Sequence, residues 1–158
     1  TTEIYTLSLH DALPIYYAES KGYFLDTVIL LQVTTPFRNA NHIREALKLF
    51  DEDTEMVVSV KETKSNPYYV LFEENENRWL EKSKNGNFQS RLQCPKVWEY
   101  NGGIYIINIK TLREKHLMKF TKVRKYIMDE WTSHDIDTML DWLVALEIQK
   151  KSIHGSTL

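Results

Sequence analysis

This chain of 158 residues has little of several things, and each scarcity narrows what it can be. It holds a single cysteine, Cys94, so an internal disulfide framework is excluded and a reducing compartment, the cytosol by default, suits it. Charge of one sign is also missing. Lys and Arg total 20 against 22 Asp and Glu, a net charge of -2, which gives no bulk attraction for a nucleic acid polymer or an anionic membrane. An anionic substrate has to be held by a few local groups. The longest apolar run, Val28-Ile29-Leu30-Leu31, is far too short to cross a bilayer, and the N-terminal residues lack a basic flank with a long apolar core. There is no internal repeat, no low-complexity tract, and no His-x-x-x-His or paired-cysteine spacing of the kind that binds zinc.

What is present suits one domain with a real core, since 42% of residues are hydrophobic and 12% aromatic. The nearly continuous apolar run within Phe24 to Val33 reads as a strand covered on both faces in a parallel sheet. A turn at Thr34-Thr35-Pro36 follows, then a helix capped by Asn39 or Asn41 whose positions Ile43, Ala46, Leu47 and Phe50 share one face. Met56 to Val60 is a second buried strand, so the unit reads strand, helix, strand with a right-handed crossover. Asn66 to Cys94 breaks this rhythm. Tyr68 to Phe72 and Arg78 to Leu80 flank Glu73 to Asn77 as a hairpin, whose aromatics either meet another subunit or fold back on the same chain. Asn101 to Ile109 is a strand opened by two glycines, which permit close approach of a ligand or backbone. A helix near Thr111 to Met118, a strand near Arg124 to Met128 and a helix over Thr138 to Gln149 complete the pattern, the last burying Met139, Trp142, Leu143 and Leu146 as a core stripe. Residues 1–15 show no clear helical or alternating pattern, and Leu7 to Ile15 is similar to a translated sequencing adapter, so they are read as a non-native leader. The α/β domain then occupies 16–149, with the arm at about 66–94, and 150–158 form a tail.

Two places carry the chemistry. Asp135 and Asp137 flank Ile136 beside the start of the last helix; in an extended segment they point the same way and can share one divalent cation. Magnesium favours this ligand set, taking one or two carboxylates, several waters and substrate phosphate oxygens. The same residues also suit a plainer role, with Asp137 as the helix N-cap and Asp135 solvated. Gln32 lies in an apolar strand just before a turn, where open sheets bind ligands. Its amide needs partners, either a ligand hydroxyl or carboxylate or the neighbouring backbone.

The segments Leu30-Leu31-Gln32-Val33-Thr34-Thr35-Pro36, Asn101-Gly102-Gly103-Ile104-Tyr105-Ile106 and Asp135-Ile136-Asp137-Thr138, in that order, resemble the acylneuraminate cytidylyltransferases, the CMP-sialic acid synthetases. Arg91 and Gln93 ahead of the Asn-Gly strand fit the same pattern, and the resemblance spans about Lys21 to Ile148. It implies a Rossmann-like nucleotide-sugar transferase fold, a three-layer α/β sandwich, with the hairpin as a dimerisation arm of a homodimer. It also implies the reaction, in which the anomeric hydroxyl of a nine-carbon sugar acid attacks the α-phosphate of CTP and pyrophosphate leaves. By the same resemblance Asp135 and Asp137 hold Mg2+, while Gln32, Arg91, Asn101 and Tyr105 line the sugar pocket. Their types fit, since a guanidinium grips a carboxylate bidentately and amides and phenols read hydroxyls. Val33 stands where the family usually has proline and Gly103 where it usually has alanine; neither change removes a polar contact.

The family's opening strand and its loop rich in Gly, Arg and Lys, which grips the CTP phosphates, have no counterpart here, and residues 1–20 cannot replace them. Each lost charge-assisted contact is worth roughly 1.5–3 kcal/mol, so the expectation is an N-terminally truncated family member with little or no activity. The alternative is a catalytically silent sugar-binding or dimerisation module of the same fold. A third reading groups Ser133-His134-Asp135-Ile136-Asp137 with His116 or His154 as a metallohydrolase site.

Overall fold

A computed structural model describes residues 9–153 of the chain. The chain divides into two compact units, one formed by Lys61–Glu99 and the other by the segments before and after it. The larger unit carries the sheet. Its elements are α1 (Leu9–Ser20), β1 (Thr27–Leu30), α2 (Ala40–Leu47), β2 (Met56–Glu62), β5 (Trp98–Asn108), α3 (Ile109–Glu114), β6 (Val123–Ile127) and α4 (Met139–Ile153); β3 (Phe72–Glu74) and β4 (Leu80–Lys82) belong to the smaller unit.

The four-stranded sheet has the order β1-β5-β2-β6. β1 runs antiparallel to β5, with Thr27 opposite Asn108 and Leu30 opposite Tyr105, while β2 and β6 are parallel, with Met56 beside Val123. The result is an α/β fold with a mixed sheet, compatible with a Rossmann-like architecture. β2 is buried throughout Met56–Val60, as its unbroken apolar run requires. The expectation for β1 is corrected: it pairs antiparallel at the edge of the sheet, and Ile29 is exposed. Thr27, Val28 and Leu30 are half-buried, so the apolar run is covered only in part.

α2 covers one face of the sheet. Asn39 caps it, accepting from the N–H groups of Asn41 and His42, and the His42 ring accepts in return from the Asn39 N–H to close a capping box. Ala46 is fully buried in a cluster with Val57, Ile104, Ile106 and Met128, against which Ile43 and Phe50 also pack. Strand alternation then sends Val58, Tyr105 and Ile107 to the opposite face.

Other boundaries differ from the sequence reading. Residues Leu9–Ser20 form a helix, closed by a turn in which the Tyr23 N–H reaches the Ala18 carbonyl and Gly22 takes φ +84°. The first eight residues of the expected leader lie outside the described residues, as do the last five of the expected tail; Lys150 to Ile153 extend α4. The two glycines lie inside β5, at its fifth and sixth residues counted from Trp98. The expected core stripe of α4 is corrected too: Met139, Trp142 and Leu143 are exposed, and Ala145 and Ile148 are the buried positions. In the smaller unit β3 and β4 pair antiparallel, Phe72 opposite Lys82 and Glu74 opposite Leu80, so the hairpin is present.

Candidate functional site

The sequence between β1 and α2 forms a tight turn that gathers most of the candidate residues. Gln32 follows β1, and its amide lies against the backbone of Gly102, where an added Cβ would stand 2.1 Å from Gln32 Oε1. Gly102 has φ +72°, a conformation that favours glycine, so the close approach anticipated for this pair is made by the Gln32 side chain. Tyr105 neighbours Leu30 across the β1–β5 ladder, and its ring meets Tyr100 edge-on at 6.2 Å between centroids. Burial, then Tyr100, then the negative charge of Asp135 push the Tyr105 phenol above its ordinary value. Tyr105 therefore remains a neutral O–H donor at neutral pH.

Asp135 reaches the same turn by two links. The Ile136 N–H donates to the Thr34 carbonyl at 2.9 Å, and the Thr35 hydroxyl, which is wholly buried, stands 3.4 Å from Asp135 Oδ1. That hydroxyl has one proton, and its shorter bond is to the Asn101 carbonyl at 3.0 Å.

Asn101 is only 3% exposed, and its amide is heavily engaged. Oδ1 accepts from the Ser59 hydroxyl at 2.5 Å and the Gly103 N–H at 3.0 Å, and Nδ2 donates to Ser133 Oγ at 2.7 Å. Ser59 Oγ in turn accepts from the Ile104 N–H at 2.7 Å. This buried network fixes the glycine segment of β5 against β2 and against the loop leading to Asp135. Sequence reasoning missed Ser59 and the roles of Ser133 and Thr35 in holding Asn101. The available signal was a serine inside Met56-Val57-Val58-Ser59-Val60, because a hydroxyl in a buried strand must have partners.

Asp137 is exposed, and the capping role considered for it is taken by others. The Asp141 carboxylate accepts from the Thr138 N–H at 2.8 Å, the Thr138 hydroxyl at 2.7 Å and the Asp137 N–H at 3.3 Å. The Asp141 N–H returns a bond to Thr138 Oγ1, so Thr138 and Asp141 make the box that starts α4. These bonds also hold the Asp141 carboxyl below its ordinary value, the Thr138 hydroxyl being the largest cause.

Gln32, Asn101, Tyr105 and Asp135 thus converge near the C-terminal end of β1, with Asp137 two residues further on. Arg91 lies in the smaller unit, exposed, at the start of a 3-10 turn over Arg91–Gln93 that the Gln93 amide oxygen braces by accepting from the Gln89 N–H. The metallohydrolase grouping finds no ligand set: among the described residues no three His, Cys, Asp or Glu side chains gather to hold a metal. His134 Nε2 meets the Asp141 carbonyl at 2.8 Å, His116 accepts from the Met118 N–H, and His154 lies outside the described residues. Magnesium asks for less. Two carboxylates, one beside the turn and one facing solvent, match its preference for few protein ligands plus water and phosphate oxygens.

Comparison with known proteins gives a consistent picture. The chain is 31% identical over 141 residues to post-translational flagellin modification protein B of Campylobacter coli, covering 86% of this chain and 60% of that protein. It is 36% identical over 136 residues to an N-acylneuraminate cytidylyltransferase of Escherichia coli, covering 80% and 30%. It is 34% identical over 88 residues to a CMP-N,N'-diacetyllegionaminic acid synthase of Campylobacter jejuni, covering 56% and 37%. The chain therefore spans 30 to 60% of the length of these relatives. No family model matches it. With three ordered motifs, a mixed α/β sheet that brings them to one end of β1, and relatives of these names, the chain belongs to the acylneuraminate cytidylyltransferase family.

Proposed function

We propose that the protein takes part in cytidylyl transfer from CTP to a nonulosonic, sialic-acid-like sugar acid, in the cytosol and as a homodimer joined through the hairpin arm. The finer fold we propose is the three-layer sandwich of the nucleotide-sugar transferases. The anomeric oxygen bonds to the α-phosphorus, the bond to the bridging oxygen breaks, pyrophosphate leaves with that electron pair, and the hydroxyl proton passes to solvent. The relatives' names support a CMP-activated nine-carbon acid as product.

The observation that carries this reading is the convergence of Gln32, Tyr105 and Asp135 on one turn. Gln32 supplies an amide that reads a sugar hydroxyl or carboxylate, and the neutral Tyr105 phenol donates to a sugar oxygen. Asn101, already engaged on three sides, serves the pocket by holding the β5 backbone under Gln32. Arg91 is assigned to the sugar carboxylate. Asp135 and Asp137 are the residues that would hold Mg2+, which when bound screens phosphate charge and orients the attacking hydroxyl.

Binding is the informative readout for this assignment. Isothermal titration with CTP should show affinity that rises at least about 10-fold with Mg2+, a gain that Asp135→Asn or Asp137→Asn removes while thermal stability is kept. CTP binding indifferent to Mg2+ in the wild-type chain, or a gain that survives both substitutions, would reject the assignment.

A further inference from the structure

We propose that Arg38 is a positioning residue of this site: its guanidinium latches the Gln32–Thr35 turn and thereby sets Gln32 and Asp135 together. One nitrogen, Nη1, donates to the Gln32 carbonyl at 2.5 Å and to the Thr35 carbonyl at 2.6 Å. Carbonyls three residues apart are thus drawn to one point, and the turn between them is closed. The carbonyl of Thr34, inside that turn, accepts from the Ile136 N–H, and the Thr35 hydroxyl binds the Asn101 carbonyl. One cation therefore fixes the backbone from which Gln32 projects, the backbone to which the Asp135–Asp137 segment is tied, and the contact with β5.

The chemistry favours this role over a generic surface charge. Burial lowers the Arg38 pKa, and the guanidinium gives its Nη1 donor to two backbone oxygens. A guanidinium partly withdrawn from water is costly unless its donors are hydrogen-bonded, so these bonds hold it in place. What it organises here is the junction of two candidate binding segments that are 100 residues apart in sequence, Thr35 and Asp135. The functional consequence rests on the metal and sugar assignments proposed above; the latch itself does not.

The test uses the 158-residue chain with Arg38→Met, which keeps an apolar stem and removes the donors, and Arg38→Lys, whose ammonium can occupy the place of Nη1. Amide hydrogen exchange at Ile136 should quicken at least about 10-fold in Arg38→Met and return to within about three-fold of wild type in Arg38→Lys. Exchange at Met128, whose N–H bonds the Val60 carbonyl in the core, should stay within about two-fold. An unchanged Ile136 rate overturns the latch, and so does a quickening that spreads equally to Met128, which marks general destabilisation. Should Arg38→Met fail to fold, Arg38→Gln is read in the same way. A parallel Mn2+ titration should show about 10-fold weaker binding in Arg38→Met, restored in Arg38→Lys. Wild-type chain that binds no Mn2+ overturns the metal assignment, and the exchange comparison then still decides the latch.

Discussion

At the scale of single residues, Gly102 and Gly103 stand side by side with opposite tolerances. Gly102 combines φ +72° with a position where a Cβ would press on the Gln32 amide, whereas a Cβ on Gly103 would meet Ser59 Oγ at 3.2 Å, Asn101 Oδ1 at 3.3 Å and Met128 Sδ at 3.4 Å. Left-handed backbone costs a non-glycine residue roughly 1–2 kcal/mol before any clash is counted. Gly102→Ala is therefore expected to lose at least about 2 kcal/mol in urea unfolding and to displace Gln32. Gly103→Ala, which restores the residue usual in the family, should change stability by less than about 1 kcal/mol. Equal losses at both positions would mean that the close approach of Gln32 is not what makes Gly102 necessary. That the Gln32 amide needs a partner was legible from its place in an apolar run, although β1 ends at Leu30 and Gln32 lies exposed on the turn beyond it. That its partner surface is a neighbouring glycine was not, since only the left-handed turn within β5 brings the two together.

At the scale of elements, local signals succeeded where they were redundant. Asn39 or Asn41 followed by Ile43, Ala46, Leu47 and Phe50 marks the start and one face of α2; the structure takes Asn39 as the cap and buries Ala46 with Ile43 against the core, while Leu47 is exposed and Phe50 packs from beyond the helix end. In the hairpin, Asn75 holds the turn by accepting from the N–H groups of Asn77 and Trp79, while Glu73 and Glu74, read as part of that turn, pair in β3. α4 failed for the opposite reason. Met139, Leu140, Trp142, Leu143, Val144, Ala145 and Leu146 put apolar groups nearly all round the helix, so periodicity could not choose a face, and tertiary packing selected Ala145 and Ile148. Pairing direction was equally hidden: a run of Val, Ile and Leu does not encode whether its neighbour is parallel. A different signal ties β2, α3 and β6 together. Glu55 accepts from Lys115 Nζ at 2.5 Å and from the N–H groups of Thr121 and Lys122, and these bonds, Lys115 first, lower its pKa from 4.5 to about 2. With the folded value depressed, the stabilisation is complete above the unfolded value and is lost as pH falls from about 4.5 to about 2. Glu55→Gln should accordingly be less stable than wild type at pH 6, with the gap closing steadily to nothing near pH 2. Urea midpoints measured across that range check it, and a gap that does not change with pH would show that the carboxylate is not the linked group.

At the scale of the whole molecule, the two units differ in how they are held. The sheet unit has a core; in Lys61–Glu99 only Asn66 is buried among the described residues, and the unit relies on smaller contacts. Tyr68 meets Phe88 edge-to-face at 5.4 Å and carries Lys84 over its ring, while Asn66 Nδ2 bonds the Pro95 carbonyl. Of the two possibilities left open for the hairpin aromatics, the structure shows the fold-back, and shows it at Tyr68. Tyr68 folds back on its own unit, but Trp79 is 71% and Leu80 69% exposed on β4 and the turn before it, with Phe72 exposed on β3. An isolated two-stranded hairpin is marginal in water, and exposed Trp and Leu on it are more naturally covered than solvated. The proposed homodimer makes a specific demand here, because a buried Trp at the centre of an interface commonly contributes 2 kcal/mol or more to association, about 30-fold in the dissociation constant. Trp79→Lys should therefore weaken self-association by at least that factor in sedimentation equilibrium. The change should leave the exchange pattern of β2, β5 and β6 as it was, since none of those strands draws its core from Trp79. Two results would reject the arm as the dimer contact: a wild-type chain that stays monomeric throughout the micromolar range, or a Trp79→Lys chain that associates as strongly as the wild type.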